Sequence, residues 1–435
     1  MSSGQKLWKR AKKIIPGGSQ LLSKRAELFL PELWPAYYQK AKGVEVWDLD
    51  NKKYIDMTTM GIGACILGFA DDDVDSSVKN IIDKGSMATL NCPEEIELAE
   101  LLLKIDPWAG MVRFVRSGGE AMTVAVRIAR AFTKKDFVAF CGYHGWHDWY
   151  LSANLHDIKS LDGHLLPGLD PAGVPRGLKG TSIPFKYNKI DQFEHLVDSH
   201  DIGVIVLETM RNYEPQNSFL QKIREIANRI DAVLIFDEIT TGWRMNLGGV
   251  FKQYNVIPDI VVYGKAISNG YPMAAIVGTS EVMDAAQNSF ISSTFWTERI
   301  GPVASIATIE KMQREKVQSH LIKIGKLIRY NWKILADENK LNLTITGIPP
   351  LSHFSFNHYD QSLPMRTFFT QEMLKRGYLA SDSVYVAYKH TKDIVEAYTE
   401  DANEVFSDIR KALDQHNILN KLDGPVAHSG FARVN

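Results

Sequence analysis

The chain has 435 residues, 45% of them hydrophobic and 23% charged, the balance of an ordinary globular protein with a sizeable core, in two domains or one large domain with an appendage. Its 50 basic and 51 acidic residues leave a net charge of −1, which argues against a sequence-independent nucleic-acid binder and against attachment to an acidic membrane surface. Three scattered cysteines, Cys65, Cys92 and Cys141, form no CxxC pair, so reduced thiols in a cytoplasmic protein are expected and a disulfide framework or metal site is not. No apolar run reaches membrane-spanning length, and the first ten residues lack the apolar core of a signal peptide.

In chain order, the first clear element is a hairpin over Val44–Asp56, two alternating strands around Asp-Asn-Lys turn chemistry. From about Val112 to about Gly278, strand-like and helix-like segments alternate. Val112–Arg116 reads as a strand, and Glu120–Thr133 as a helix with Ala121, Val124, Ala125, Ile128 and Ala129 on one face. Phe137–Phe140 and Val204–Leu207 are further strands, and Phe219–Ile230 is an amphipathic helix. Ala232–Phe236, Val261–Tyr263 and Ala274–Val277 complete the strand set. Such alternation predicts an α/β fold, a mostly parallel sheet with helices on both faces, whose ligands sit beyond the carboxyl ends of the strands. Ser152–Lys186 interrupts the pattern; rich in Gly, Pro, Asp and Leu, it reads equally as a surface excursion or a lid. After about Ile309 the chain turns helical and charged, ending in an amphipathic stretch over Val395–Leu413 and a loosely ordered tail after Asp423. The expected division is a large domain over residues 76–310 and a smaller α+β domain assembled from residues 1–75 and 311–435.

The chemistry gathers at strand ends. Lys265 follows the β-branched run Val261-Val262-Tyr263-Gly264 and precedes Gly-rich turn chemistry. Alone it reads more readily as a surface lysine. Asp237 ends another apolar run, where an unpartnered carboxylate would be costly; its bland reading is a helix cap. An amine for a Schiff base and an acid for a protonated pyridine are what pyridoxal 5'-phosphate needs. Ser117-Gly118-Gly119 lies between a strand and a helix, where small residues and the helix N-terminus suit a phosphate. It lacks both the G-x-G-x-x-G order of a dinucleotide site and the lysine of a P-loop. Tyr143, in the aromatic loop Cys141–Tyr150, could cover one face of the ring. His144, His147 and Asp148 match no recognised zinc spacing and read better as residues ordering that loop.

Taken together, Ser117-Gly118-Gly119-Glu120-Ala121, Tyr143-His144-Gly145, Phe236-Asp237-Glu238 and Gly264-Lys265-Ala266 resemble the signature of class III pyridoxal-phosphate aminotransferases. Ile15-Pro16-Gly17-Gly18, Ile66-Leu67-Gly68, Phe236 through Arg244 and Gly270-Tyr271-Pro272-Met273 resemble the glutamate-1-semialdehyde 2,1-aminomutase subgroup. The resemblance spans nearly the whole chain. It implies fold type I, with a mostly parallel seven-stranded sheet domain. It also implies Lys265 as the amine carrying the cofactor, Asp237 at the ring nitrogen and Ser117, Gly118 and Gly119 at the phosphate. Tyr143 and Ile239 would cover the two ring faces, with Glu208 near the cofactor. It further implies a homodimer in which Thr294 reaches the neighbouring subunit's phosphate.

Several positions depart from that pattern. The turn reads Ser-Gly-Gly where Ser-Gly-Thr is usual, Thr209 replaces a proline after Glu208, and Thr294–Pro302 is bulkier than its counterpart. Lys24-Arg25 stands near the place of a carboxylate-binding arginine, and a C-terminal glutamate of the aminomutases is replaced at about Tyr385. Arg25, Trp296, Glu298 and Arg244 are candidate substrate residues, each equally suited to a salt bridge or packing. The reading that follows is a transaminase taking nitrogen from an amino-acid donor to a ketone or aldehyde, such as a keto-sugar or keto acid. An aminomutase that moves nitrogen within one molecule is the alternative. A non-catalytic regulator on an enzyme fold is a third reading, disfavoured by the retained lysine and aspartate.

Overall fold

The computed structural model describes residues 1–164, 167–210 and 212–430. The chain divides into two compact units, one made of residues 72–318 and the other of residues 1–71 with 319–435.

The second of these carries two small sheets. Strands β1 (Tyr38–Lys42), β2 (Glu45–Asp48) and β3 (Lys53–Met57) form an antiparallel meander that contains the expected hairpin. Asp48 tightens its turn by accepting from the Asp50 and Lys52 amides at 2.9 Å each.

In residues 72–318, β4 (Met111–Val115), β5 (Phe137–Cys141), β6 (Ser182–Pro184), β7 (Ile202–Glu208), β8 (Val233–Asp237), β9 (Ile260–Tyr263) and β10 (Ala274–Gly278) form one seven-stranded sheet in the order β4-β10-β9-β8-β7-β5-β6. The five strands β9 to β6 in that order run parallel, and β10 is antiparallel to both of its neighbours. Every residue of β7, β8, β9 and β10 is buried, which is why these strands read as unbroken apolar runs: a parallel sheet covered on both faces has no solvent side to alternate with. The helix Gly118–Thr133 covers one face, burying Ala121, Val124, Ala125, Ile128 and Ala129 against Val138, Phe140, Val206 and Ile235.

Ser152–Lys186 runs largely along the surface, with many of its residues exposed, but is pinned to the sheet domain at several points. Ser182–Pro184 joins the sheet as edge strand β6, and Leu161 is buried in the main core. Asn154 pins the intervening turn, donating to the Leu169 carbonyl and accepting from the Leu161 amide. Leu165 and Leu166 of this stretch lie outside the described residues.

The remaining strands belong to the smaller unit. They are β11 (Leu343–Thr346), β12 (Leu351–Phe356), β13 (Tyr378–Ala380) and β14 (Ser383–Tyr385). β13 adds parallel to β3, and β11-β12-β14 form an antiparallel sheet. Against the expectation of a loose tail after Asp423, residues 424–428 are fastened. Ala427 is buried, its amide donates to Thr367 Oγ1, and the His428 amide donates to the Glu27 carbonyl at 2.7 Å. The last five residues lie outside the described part. Among the described residues no helix is long and apolar enough to cross a membrane.

One glycine in this unit is set by packing rather than by backbone angles. Gly325, inside the helix Val317–Glu338, faces the Pro349 carbonyl so closely that a Cβ would come within 1.9 Å of its oxygen. On helix propensity alone an alanine there would stabilise by about 1 kcal/mol. Gly325→Ala should instead destabilise by about 1–3 kcal/mol, because backbone must move to admit the methyl group, and a lowered unfolding midpoint in urea is the check.

Candidate active site

Asp237, Glu208 and Lys265 meet at the carboxyl edge of the sheet because register places them there. Glu208 is paired with Asp237 across β7 and β8, and Asp237 with Val262 across β8 and β9, three residues before Lys265. Asp237 is 3% exposed. Its Oδ1 accepts from the Ile239 amide at 3.0 Å and its Oδ2 faces His144 Nδ1 at 2.8 Å. The other nitrogen of His144, Nε2, faces the Cys141 carbonyl at 3.1 Å. Both ring nitrogens therefore face oxygen atoms, which fixes the orientation of the ring against the buried carboxylate.

The loop beneath is organised the same way. The Gly142 amide donates to His164 Nδ1 at 3.2 Å, and the Tyr143 amide donates to Glu208 Oε2 at 3.2 Å. Burial first, then the neighbouring His144 and Lys186, push His164 down to about 4, so its ring is neutral at ordinary pH and can accept. Gly142 has φ +117° and its hydrogen faces the Glu208 carboxylate; a Cβ there would come within 2.7 Å of Oε2. Tyr143 itself is half-buried and meets Tyr150 edge-on at 6.1 Å.

Lys265 opens a 3-10 turn (Lys265–Ser268) with φ +45°, a left-handed conformation that costs of order 1–3 kcal/mol in a non-glycine residue and concentrates at functional sites. Its Nζ donates to Thr240 Oγ1 at 2.9 Å. Ile239 lies between the lysine strand and the Ser117–Gly119 turn: a Cβ at Gly118 would approach its Cδ1 to 3.1 Å, and one at Gly264 its Cγ2 to 3.2 Å. A side chain at either position would be tight against that isoleucine. Ser117 caps the helix Gly118–Thr133 through a box in which its Oγ accepts from the Glu120 amide while Glu120 accepts from the Ser117 amide at 2.9 Å. The amides of Gly118 and Gly119, first in the helix, have no intrahelical acceptor and are the donors such a terminus offers an anion.

The other residues singled out in the sequence make the following contacts within their own units. Glu298 is engaged within the chain at both oxygens. Its Oε1 meets Arg116 Nε at 2.7 Å and accepts from the Gly301 amide, and Oε2 accepts from the Ile300 amide, so it caps the helix Ile300–Arg314. Arg244 is 1% exposed, with Nε donating to the Thr240 carbonyl at 2.7 Å. Trp296 packs against the core of the sheet domain, and its carbonyl accepts from Arg116. Thr294 opens a 3-10 turn (Thr294–Thr297) and is exposed, as is Phe295 beside it in the turn. Arg25, in the smaller unit, packs so closely on Gly17 that a Cβ there would overlap its guanidinium. Tyr385 ends β14, its amide donating to the Thr58 carbonyl. Sequence reasoning assigned no role to Thr240 or to the pairing of His144 with Asp237. Thr240 stood in plain view two residues after Glu238, but only the turn after β8 shows that its hydroxyl faces Lys265.

These residues fit pyridoxal 5'-phosphate. A lysine amine and a buried carboxylate sit on adjacent strand ends, a branched aliphatic side chain lies between them and a glycine turn, and two amides with no intrahelical acceptor begin the helix. Comparison with known proteins agrees. A model of the family described as Aminotransferase class-III matches residues 31–349. The 3-aminobutyryl-CoA aminotransferase of Cloacimonas acidaminovorans is 30% identical, covering 95% of this chain and 99% of its own. The glutamate-1-semialdehyde 2,1-aminomutase of Methanobrevibacter smithii is 34% identical over 81% of this chain and 82% of its own. In fold, an omega-transaminase from Sphaerobacter thermophilus matches with a TM-score of 0.83 at 24% identity, over 94% of this chain and 98% of that one. The chain belongs to the class III aminotransferase family, with the fold type I architecture and pyridoxal 5'-phosphate as cofactor.

Glu238, next to Asp237, is fully buried and pushed up to about 7 by that burial, although Thr241 Oγ1 (2.7 Å) and the Phe251 amide (3.2 Å) donate to it. Its protonated form is favoured in the fold, so its contribution to stability is complete below about 4.5 and lost as pH rises through about 7. Glu238→Gln keeps an uncharged acceptor there. The variant's unfolding midpoint should therefore gain on the unaltered chain between pH 5 and pH 8; parallel midpoint-versus-pH curves would refute this.

Proposed function

We propose that this protein transfers an amino group from an amino-acid donor to a separate ketone or aldehyde acceptor, with Lys265 as the covalent anchor and proton carrier. The observation that carries the reading is the placement of Lys265 Nζ and the buried Asp237 carboxylate on adjacent parallel strand ends, in a chain of the class III family. When bound, the cofactor supplies an aldehyde that captures the amine and a ring that withdraws electrons from the bond being broken.

The protein's side chains supply the rest. Asp237, fixed by His144 and the Ile239 amide, holds the proton on the ring nitrogen. Ser117, Gly118 and Gly119 bind the phosphate at the helix start, Tyr143 and Ile239 cover the two ring faces, and Glu208 steadies the Tyr143 loop through its amide. Lys265 Nζ, displaced by the donor, is the base that takes the donor's α-proton, and the Thr240 hydroxyl holds it within reach of that task. Thr240→Val keeps the shape and removes the hydrogen bond; about a tenfold loss of kcat with an unchanged absorbance of bound cofactor is the expected outcome.

Of the four substrate residues considered, Arg25 and Trp296 retain that assignment. The chain-internal bonds of Glu298 and the burial of Arg244 support a scaffolding role for both. A keto acid or keto-sugar is the acceptor class that an arginine and an indole would suit. Thr294 and the exposed Phe290 and Phe295 support a homodimer in which Thr294 serves the neighbouring subunit's cofactor. The second reading, intramolecular transfer, is supported by the similarity to aminomutases.

Single turnover with 15N-labelled amino acids and no acceptor decides between them. Transamination releases about one equivalent of keto product per holoenzyme and leaves the label on the protein-bound cofactor. No keto product from any donor, with the label retained in a rearranged carbon skeleton, would replace this reading by the mutase. In Lys265→Ala, borohydride should fix no cofactor to the chain, and turnover should fall by several orders of magnitude.

A further inference from the structure

The start of the helix Gly118–Thr133 has an unusual neighbour. Position 119 carries no side chain, and the imidazole of His147 stands where one would be: a Cβ on Gly119 would lie 2.9 Å from both Cε1 and Nδ1 of that ring. His147 is held there by Trp146, stacked on it at 4.2 Å with the planes 19° apart. The ring is half-buried, but Nδ1 is enclosed and has no hydrogen-bond partner among the described residues. A buried ring nitrogen left unpaired costs roughly 1–3 kcal/mol, which a fold tolerates where a ligand completes the bond. The ring thus stands over position 119, the second residue of the helix whose first amides, those of Gly118 and Gly119, are offered to an anion.

We propose that His147 is a phosphate ligand of this protein, its ring replacing the side chain that position 119 lacks and its Nδ1–H donating to the cofactor phosphate held by the Gly118 and Gly119 amides. The inference rests on the reading of this turn as the phosphate site. Burial holds His147 below the ordinary histidine range, with the carboxylates of Glu120 and Asp148 opposing that shift, and a neutral imidazole still offers the one N–H required. The swap also explains why glycine follows Gly118: a side chain at 119 and the ring of His147 exclude each other.

The test compares two cofactor forms that differ only in the phosphate. Dissociation constants of pyridoxal 5'-phosphate and of pyridoxal are measured by titrating apoprotein and following the absorbance of the lysine-bound chromophore. Removing one hydrogen bond to a charged group costs about tenfold. His147→Ala should therefore weaken pyridoxal 5'-phosphate about tenfold and leave pyridoxal unchanged. The paired variant His147→Ala with Gly119→Thr, in which a hydroxyl takes the vacated space, should recover most of that loss. Gly119→Thr alone should weaken the phosphorylated form, because ring and side chain collide. Equal losses for both cofactor forms, or no loss for either, would overturn the proposal: the first marks a packing role, the second none. Failure of the unaltered protein to bind pyridoxal 5'-phosphate at Lys265 would overturn the functional reading itself, a result separable from any outcome with the variants.

Discussion

A carboxylate at the end of a strand buried on both faces has to find polar partners within a few ångströms, and Asp237 imposes that requirement on its surroundings. His144 answers it from one side and the Ile239 amide from the other. His144 can do so because the Cys141 carbonyl, at the end of β5, takes its second nitrogen. The loop after β5 is thereby tied to β8, two strands away in the sheet. His164, kept neutral by burial, and Glu208 then hold the backbone of that same loop at Gly142 and Tyr143. Ser152–Lys186, which composition describes as an irregular stretch, delivers His164 to this place and closes the sheet with β6.

Close packing works alongside charge. Ile239 fills the gap between the Ser117–Gly119 turn and the strand that presents Lys265, leaving little room for a side chain at Gly118 or Gly264. The left-handed backbone of Lys265 turns its side chain out of the strand direction toward Thr240, and the bond to that hydroxyl fixes the amine. Strain at one residue is sustained because β9 on one side and the buried Ala266-Ile267-Ser268 turn on the other define its path.

The segment around Trp296 and Glu298 is braced from within. Arg116, just beyond β4, pairs with Glu298 and donates to the Trp296 and Glu298 carbonyls, while Arg299 makes a two-pronged pair with Glu94. A charged residue beside aromatics in a loop looks alike in sequence whether it meets a ligand or caps a helix. Glu298 does the second, accepting from the Ile300 and Gly301 amides. Arg244 was open to the same ambiguity, and in the structure it is buried with its Nε donating to the Thr240 carbonyl.

From residues alone came the alternation that makes a covered parallel sheet, the apolar runs of β7 to β10, and the lysine, acid and glycine turn standing at their ends, since periodicity and turn chemistry are local properties of a chain. The hairpin of β2 and β3 was legible for the same reason. What local pattern could not supply is anything that depends on which strands become neighbours. That includes the antiparallel insertion of β10, the capture of Ser182–Pro184 as an edge strand, the partners of Asp237 and Lys265, and the imidazole lodged over Gly119. Those contacts join residues far apart in sequence, and they exist only once packing has brought the strand ends together.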